Sequence, residues 1–79
     1  MRSVPAVTLD QLPTGRSALV KKVHKPSPTT LRLMELGLVP GRSVQVLKRA
    51  PFGGPMQLSL VGTRVSLRAD DARAFEIDA

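Results

Sequence analysis

Seventy-nine residues, with Lys and Arg outnumbering Asp and Glu twelve to six, make one domain with one small core and a net charge of +6. A hydrophobic content of 42% argues against wholesale disorder, and no apolar run approaches the ~20 residues of a membrane span. Cysteine is absent, which excludes disulfides, thiolate catalysis and cysteine-ligated metal and fits a cytosolic chain.

In chain order, residues 1–8 read as a loose lead and residues 9–79 as the domain. Arg2 is followed by no apolar stretch, so no secretory signal is expected. Residues 9–12 form a short apolar–polar step, stopped by Pro13-Thr14-Gly15. Residues 17–23 are a strand candidate, broken by Lys25-Pro26-Ser27-Pro28, because prolines this close cannot sit in a central strand. Ser27 suits the N-cap of a helix whose first residue is Pro28, a position where the missing N–H would have no partner anyway. The helix is predicted over residues 28–36. Gly37 then takes the left-handed conformation that stops it, and Leu38 packs back on Leu33 in a Schellman-type cap. Pro40-Gly41 supplies the centre of a type II turn, and a strand follows over residues 44–50.

The rest of the chain is mostly strand. Pro51-Phe52-Gly53-Gly54-Pro55 is a loop. Met56, Leu58 and Leu60 alternate with Gln57 and Ser59, and Val61-Gly62-Thr63 forms a tight hairpin. Val65 and Leu67 point inward from the next strand, Asp70-Asp71-Ala72 suits one helical turn, and Phe75 and Ile77 alternate in a closing strand. The predicted fold is all-β: a small barrel of about five short strands with one short α-helix. Closure is favoured because an open sheet of this size leaves two bare edges. Gly15-Arg16-Ser17 and Gly41-Arg42-Ser43 both launch strands, which is read as shared turn chemistry rather than duplication.

The chemistry of the side chains is sparse. His24 is the only histidine, flanked by lysines, and reads as an exposed residue at a strand end. With no cysteine and one histidine, neither a catalytic triad nor a zinc site can be assembled convincingly, so no catalytic, cofactor-binding or metal residue is assigned. Asp70 and Asp71 diverge by ~100° on a helical turn and serve as charges at its start. Gly53-Gly54 lacks the Gly-Lys-Ser/Thr of a phosphate loop. The chain has Phe52 and Phe75 but no Tyr or Trp, too few aromatics for base stacking or for a proline-peptide groove. Lys21, Lys22, Lys48 and Arg49 could still hold phosphate non-specifically, and the basic face otherwise serves solubility.

The helix offers a more specific surface. Only Arg32 and Glu35 lie on its polar sector, whereas its apolar residues spread over roughly 220°, well beyond the ~100° stripe that faces a core. Leu31 and Met34 are the candidates to remain exposed as a partner contact beside Arg32, unless the lead or the 51–55 loop covers them. Lys21 and Lys22 form a rival basic surface. Phe52 either folds back on the barrel end or stands out as a contact.

The run Arg32-Leu33-Met34-Glu35-Leu36-Gly37-Leu38-Val39-Pro40-Gly41, followed by Ala50-Pro51, Gly54-Pro55, Leu67-Arg68 and Asp71-Ala72, resembles the FeoA family over nearly the whole chain. The resemblance implies an SH3-like barrel. It also implies a cytosolic, non-enzymatic accessory or regulatory protein of bacterial ferrous iron uptake that needs no cofactor. Its implied partner is the cytosolic part of FeoB, the membrane Fe(II) transporter with a GTPase domain. The same barrel occurs at the C-terminus of iron-dependent repressors, so a repressor-type regulatory domain is one alternative. A small basic nucleic-acid-binding barrel is the other, although no specific nucleic acid is expected.

Overall fold

The two Gly-Arg-Ser motifs build the frame of the molecule, which a computed structural model describes over residues 7–78. Each motif closes a turn: Arg16 N–H donates to the Pro13 carbonyl and Arg42 N–H to the Val39 carbonyl, both at 3.1 Å. Gly41, at φ +91°, is the third residue of the type II turn expected at Pro40-Gly41. Each turn launches a strand of seven residues, β2 (Ser17–Val23) and β3 (Ser43–Arg49). The turns are then tied to each other's strand, Gly15 N–H to the Val46 carbonyl at 2.7 Å and Gly41 N–H to the Val20 carbonyl at 2.8 Å. The strands pair antiparallel about Ala18 and Val44. Both carry an irregularity at the same relative place, between Val20 and Lys22 in one and between Val46 and Lys48 in the other. The echo thus extends past turn chemistry into a local two-fold arrangement, whose bulges bend the sheet on both sides.

The other strands attach to this pair. β4 (Met56–Leu60) lies on β3 and forms a hairpin with β5 (Thr63–Leu67). A four-residue helix, labelled α2 (Ala69–Ala72), leads into β6 (Phe75–Asp78), which lies on β2. Val7 and Thr8 form a further strand, β1, paired with Ile77 and Glu76. The loose lead expected through residue 8 therefore does not reach Val7; residues 1–6 lie outside the described residues. Among the described residues the sheet holds six strands, where about five were expected, in the order β1-β6-β2-β3-β4-β5, every pair antiparallel. Among the described residues no ladder joins β5 to β1, so the barrel keeps two strand edges.

The strand alternation sends Val44, Val46, Leu58 and Phe75 into the core with no exposed surface, beside Leu9 from the 3-10 turn Leu9–Gln11 and Leu38 from the helix exit. The helix α1 (Pro28–Glu35) lies between β2 and β3. Ser27 caps it: Thr30 N–H donates to Ser27 Oγ at 3.2 Å, and Ser27 N–H donates to Thr30 Oγ1 at 2.6 Å. The exit carries both bonds of the Schellman motif, Leu38 N–H to the Leu33 carbonyl at 3.1 Å and Gly37 N–H to the Met34 carbonyl at 3.0 Å.

The reciprocal cap changes which helix face is buried. Thr30 is 1% exposed, because its hydroxyl donates to the Ser27 carbonyl and so enters the core satisfied. Thr30, Leu33 and Met34 consequently form the inward stripe at i, i+3 and i+4. Met34 packs against the core, correcting the expectation that it stays exposed. Leu31 does stay out at 51% exposed, and Leu36, the C-cap, joins it at 49%.

Candidate partner-binding surface

α1 and the neighbouring edge of the sheet form a recessed surface among the described residues. Arg32, Leu33 and Leu36 make one wall of a groove of about 480 Å3, and residues 64–68 of β5 and its exit make the other. Thr29, Pro55 and Asp71 complete the lining. On the far side of Leu36, Glu35, Arg42 and Val61 border a smaller hollow of about 270 Å3. Leu36 therefore stands as an apolar ridge between two recesses. Of the residues singled out in the sequence, Arg32 lines the larger groove, while Leu31, Met34, Lys21, Lys22 and Phe52 line neither. Leu36, Arg64 and Arg68 were missed. Leu36 was legible as part of an apolar arc, but the edge position of β5 has no local signal.

The lysines sit elsewhere, on the strand end of β2. Register places Lys22 opposite Glu76 and Val23 opposite Phe75, and the side chains on either side of these two, Lys21 and His24, reach the Glu76 carboxylate. Lys21 Nζ lies 3.6 Å from Glu76 Oε2, and His24 Nε2–H donates to Glu76 Oε1 at 2.8 Å. His24 is therefore a half-buried, paired residue rather than the exposed one expected. The His24 hydrogen bond, with help from Lys21, holds the Glu76 carboxyl below its ordinary range against the opposing effect of burial. A carboxylate lowered on folding stabilises the native state above its unfolded pKa and loses that contribution as pH falls through the folded value. Acid should therefore destabilise the wild type more than Glu76→Gln below the ordinary carboxylate pKa of about 4.3, as read by thermal melts across pH. Parallel acid profiles for the two proteins would show that the pair contributes nothing.

Of the other basic candidates, the Arg49 guanidinium donates to the Leu12 carbonyl, which ties it to the fold, while Lys48 is exposed. Phe52 does not fold back: its side chain is fully exposed at the tip of the loop between β3 and β4. The tip is a tight turn in which Gly54 N–H donates to the Pro51 carbonyl at 3.3 Å, with Phe52 at φ +59° and Gly53 at φ +73°. A bulky residue in the left-handed region costs on the order of 1–3 kcal/mol. An aromatic that is both strained and solvated contributes little to the core.

Among the described residues no acid–base constellation emerges. Asp70 pairs with Arg73 at 2.7 Å, and Arg73 also lies 3.6 Å from Asp10. Arg32 and Glu35, the two residues on the polar sector of α1, enter none of the ion pairs among the described residues. Among the described residues no three His, Cys, Asp or Glu side chains come together in a way that could hold a metal ion. No helix among them is long and apolar enough to cross a membrane.

A bent antiparallel sheet of six short strands, with one two-turn helix inserted between its two long strands, defines a small barrel of the SH3-like class. The chain belongs to the FeoA family: the FeoA domain model matches residues 7–79. A crystal structure of FeoA from Stenotrophomonas maltophilia is 35% identical, with a TM-score of 0.81 over 92% of this chain and 91% of that one. That protein is described as a zinc complex of a prokaryotic SH3 domain protein and is suggested to activate ferrous iron transport. The solution structure of FeoA from Chlorobium tepidum is 32% identical, with a TM-score of 0.82 over 90% of this chain and 68% of that one. A fusion of Fe(2+) transport protein A with the Fe(2+) transporter FeoB, from Porphyromonas gingivalis, is 31% identical over 70 residues. That stretch is 89% of this chain and 8% of the fusion protein, so the chain spans a small part of the length of this curated relative.

Proposed function

We propose that this chain is a non-enzymatic, cytoplasmic accessory protein of ferrous iron uptake that acts by binding the cytosolic part of a FeoB-type transporter. The observation that carries the reading is the relative in which a domain like this one is fused to FeoB in one polypeptide. Fusion holds two modules at a high effective concentration, which is useful when they work in contact. The surface supports the same reading. Leu31 and Leu36 expose half of their apolar surface on a short helix, Arg32 lies between them, and Phe52 presents a free aromatic ring. Aromatic and arginine side chains supply most hot spots of protein interfaces.

The test is retention of the solubilised transporter by the immobilised chain, paired with melting of each free variant. Leu31→Glu should weaken retention while the melting temperature stays nearly unchanged, because a carboxylate is solvated in the free protein and stranded in an apolar contact. Phe52→Asn should weaken retention and raise the melting temperature by a few degrees, since Asn tolerates the left-handed region. Met34→Glu no longer serves as a surface probe, because Met34 packs on the core. Charge reversal at Lys21 and Lys22 tests the rival basic face. A defect confined to that variant would move the interface to the end of β2, and full retention by every variant would remove the helix and the loop tip from the interface.

A further inference from the structure

We propose that the outer edge of β5, with the groove between it and α1, takes an extended acidic segment of a protein partner as an added strand. The two edges of this sheet are not equivalent. Among the described residues β1 contributes two residues to its edge, which gives another strand little to pair with there. β5 is five residues long and pairs with β4 without a register shift, from Leu60 opposite Thr63 to Met56 opposite Leu67. The two-residue hairpin at Val61-Gly62 makes Leu60 and Thr63 a hydrogen-bonded pair, and antiparallel alternation makes Leu58–Val65 and Met56–Leu67 the next ones. Arg64 and Ser66 then turn their N–H and C=O groups to the open side, where among the described residues no strand meets them. An edge of this length with its backbone groups unused is a template for strand addition.

The side chains say what kind of strand. Arg64, Ser66 and Arg68 are exposed while Val65 and Leu67 are buried, so the edge presents guanidinium groups. Arg32 faces them from α1, and Asp71 is the only acidic residue in the lining. Arg32, Arg64 and Arg68 enter none of the ion pairs among the described residues. Three uncommitted guanidinium groups around one strand edge suit carboxylates at alternate positions of an extended chain, each able to accept two parallel N–H bonds. A second copy of this chain fits poorly, because β5 laid against β5 would oppose arginine to arginine. Nucleic acid would leave the edge N–H and C=O pattern unused, and no aromatic side chain lines the groove for a base to stack on.

The direct test is an NMR titration of the isotope-labelled chain with a short peptide alternating Glu and Val. Its Lys–Val counterpart and a Glu–Pro counterpart, which lacks the N–H groups for pairing, are the controls. The acidic peptide should shift the amides of Arg64 and Ser66 and slow their hydrogen exchange, and neither control should do so. Ser66→Pro should fold, because its N–H has no partner in β4 and edge strands accept proline, and should weaken the peptide by at least about tenfold. Should that variant fail to fold, Arg64→Glu with Arg68→Glu reads the charge alone and should exchange preference from the Glu to the Lys peptide. Equal binding of the Lys peptide, shifts confined to Leu31 and Phe52, or concentration-dependent shifts at Arg64 and Ser66 without peptide would each overturn the proposal. A second arm rests on the reading of the preceding section and repeats the transporter retention with Ser66→Pro. Retention of the transporter by wild type and variant alike sinks the strand edge and leaves the partner standing. Failure of the wild type to retain it, with the peptide still bound at β5, sinks the partner and leaves the edge standing.

Discussion

Leu33→Glu should leave the chain without a cooperative melt at 25 °C, whereas Leu31→Glu, on the same short helix, should melt within a few degrees of wild type. Leu33 is 5% exposed and Leu31 is 51% exposed. Leu33 also sits three residues before the cap and packs with Leu38 across the Schellman turn, so its loss opens the helix exit as well as the core. Removing a fully buried leucine side chain forfeits about 2–3 kcal/mol of burial. A carboxylate left there without a partner adds several kcal/mol, or shifts its pKa and becomes neutral at a comparable cost. Domains as short as this lie near the lower end of the ordinary stability range of about 5–15 kcal/mol, so the sum is enough to unfold it. Far-UV circular dichroism with a thermal ramp reads the result. A cooperative transition for Leu33→Glu near that of wild type would mean that α1 does not face the core through Leu33.

Gly37→Val and Gly41→Val should each lower the melting temperature by roughly 4–8 °C for every kcal/mol lost, with about 1–3 kcal/mol lost per site. The reason is backbone conformation and not crowding. Gly37 has φ +115° and Gly41 φ +91°, a region that β-branched side chains rarely enter. A Cβ on Gly37 would meet only Leu60 Cδ1, at an ordinary 3.8 Å, and one on Gly41 would meet nothing within 4 Å. Each residue also donates a structural hydrogen bond, Gly37 to Met34 and Gly41 to Val20, and a shift in φ to relieve strain would break it. Asn at either position should recover part of the loss, because it tolerates positive φ. If both valine variants melt with wild type, the helix stop and the type II turn do not constrain the fold.

Much of the architecture was legible in local signals. The Ser27-Pro28 start, the Gly37 stop with Leu38 folded over Leu33, and the Pro40-Gly41 turn were all readable because each depends on backbone preferences of adjacent residues. The inward faces of β4 and β5 were readable from strict alternation. Thr30 was not. A polar residue becomes core only when its hydroxyl finds a partner, and that partner is the cap itself. Its burial turned Met34 inward and left Leu36 out.

The sequence by itself determined the class of the protein: a small basic chain, short strands around one capped helix, and a motif run that places it with FeoA. These follow from contacts between near neighbours, where side-chain type and backbone φ decide the outcome. Only the tertiary structure decided which residues share a surface. Arg32 meets Arg64 and Arg68 across one groove because strand order puts β5 at the sheet edge, next to a helix far away in sequence. His24 and Lys21 meet Glu76 because β2 pairs with β6 in one register and bulges at one place. Strand order and register are properties of long-range pairing, set by how the whole core closes, and no window of adjacent residues contains them.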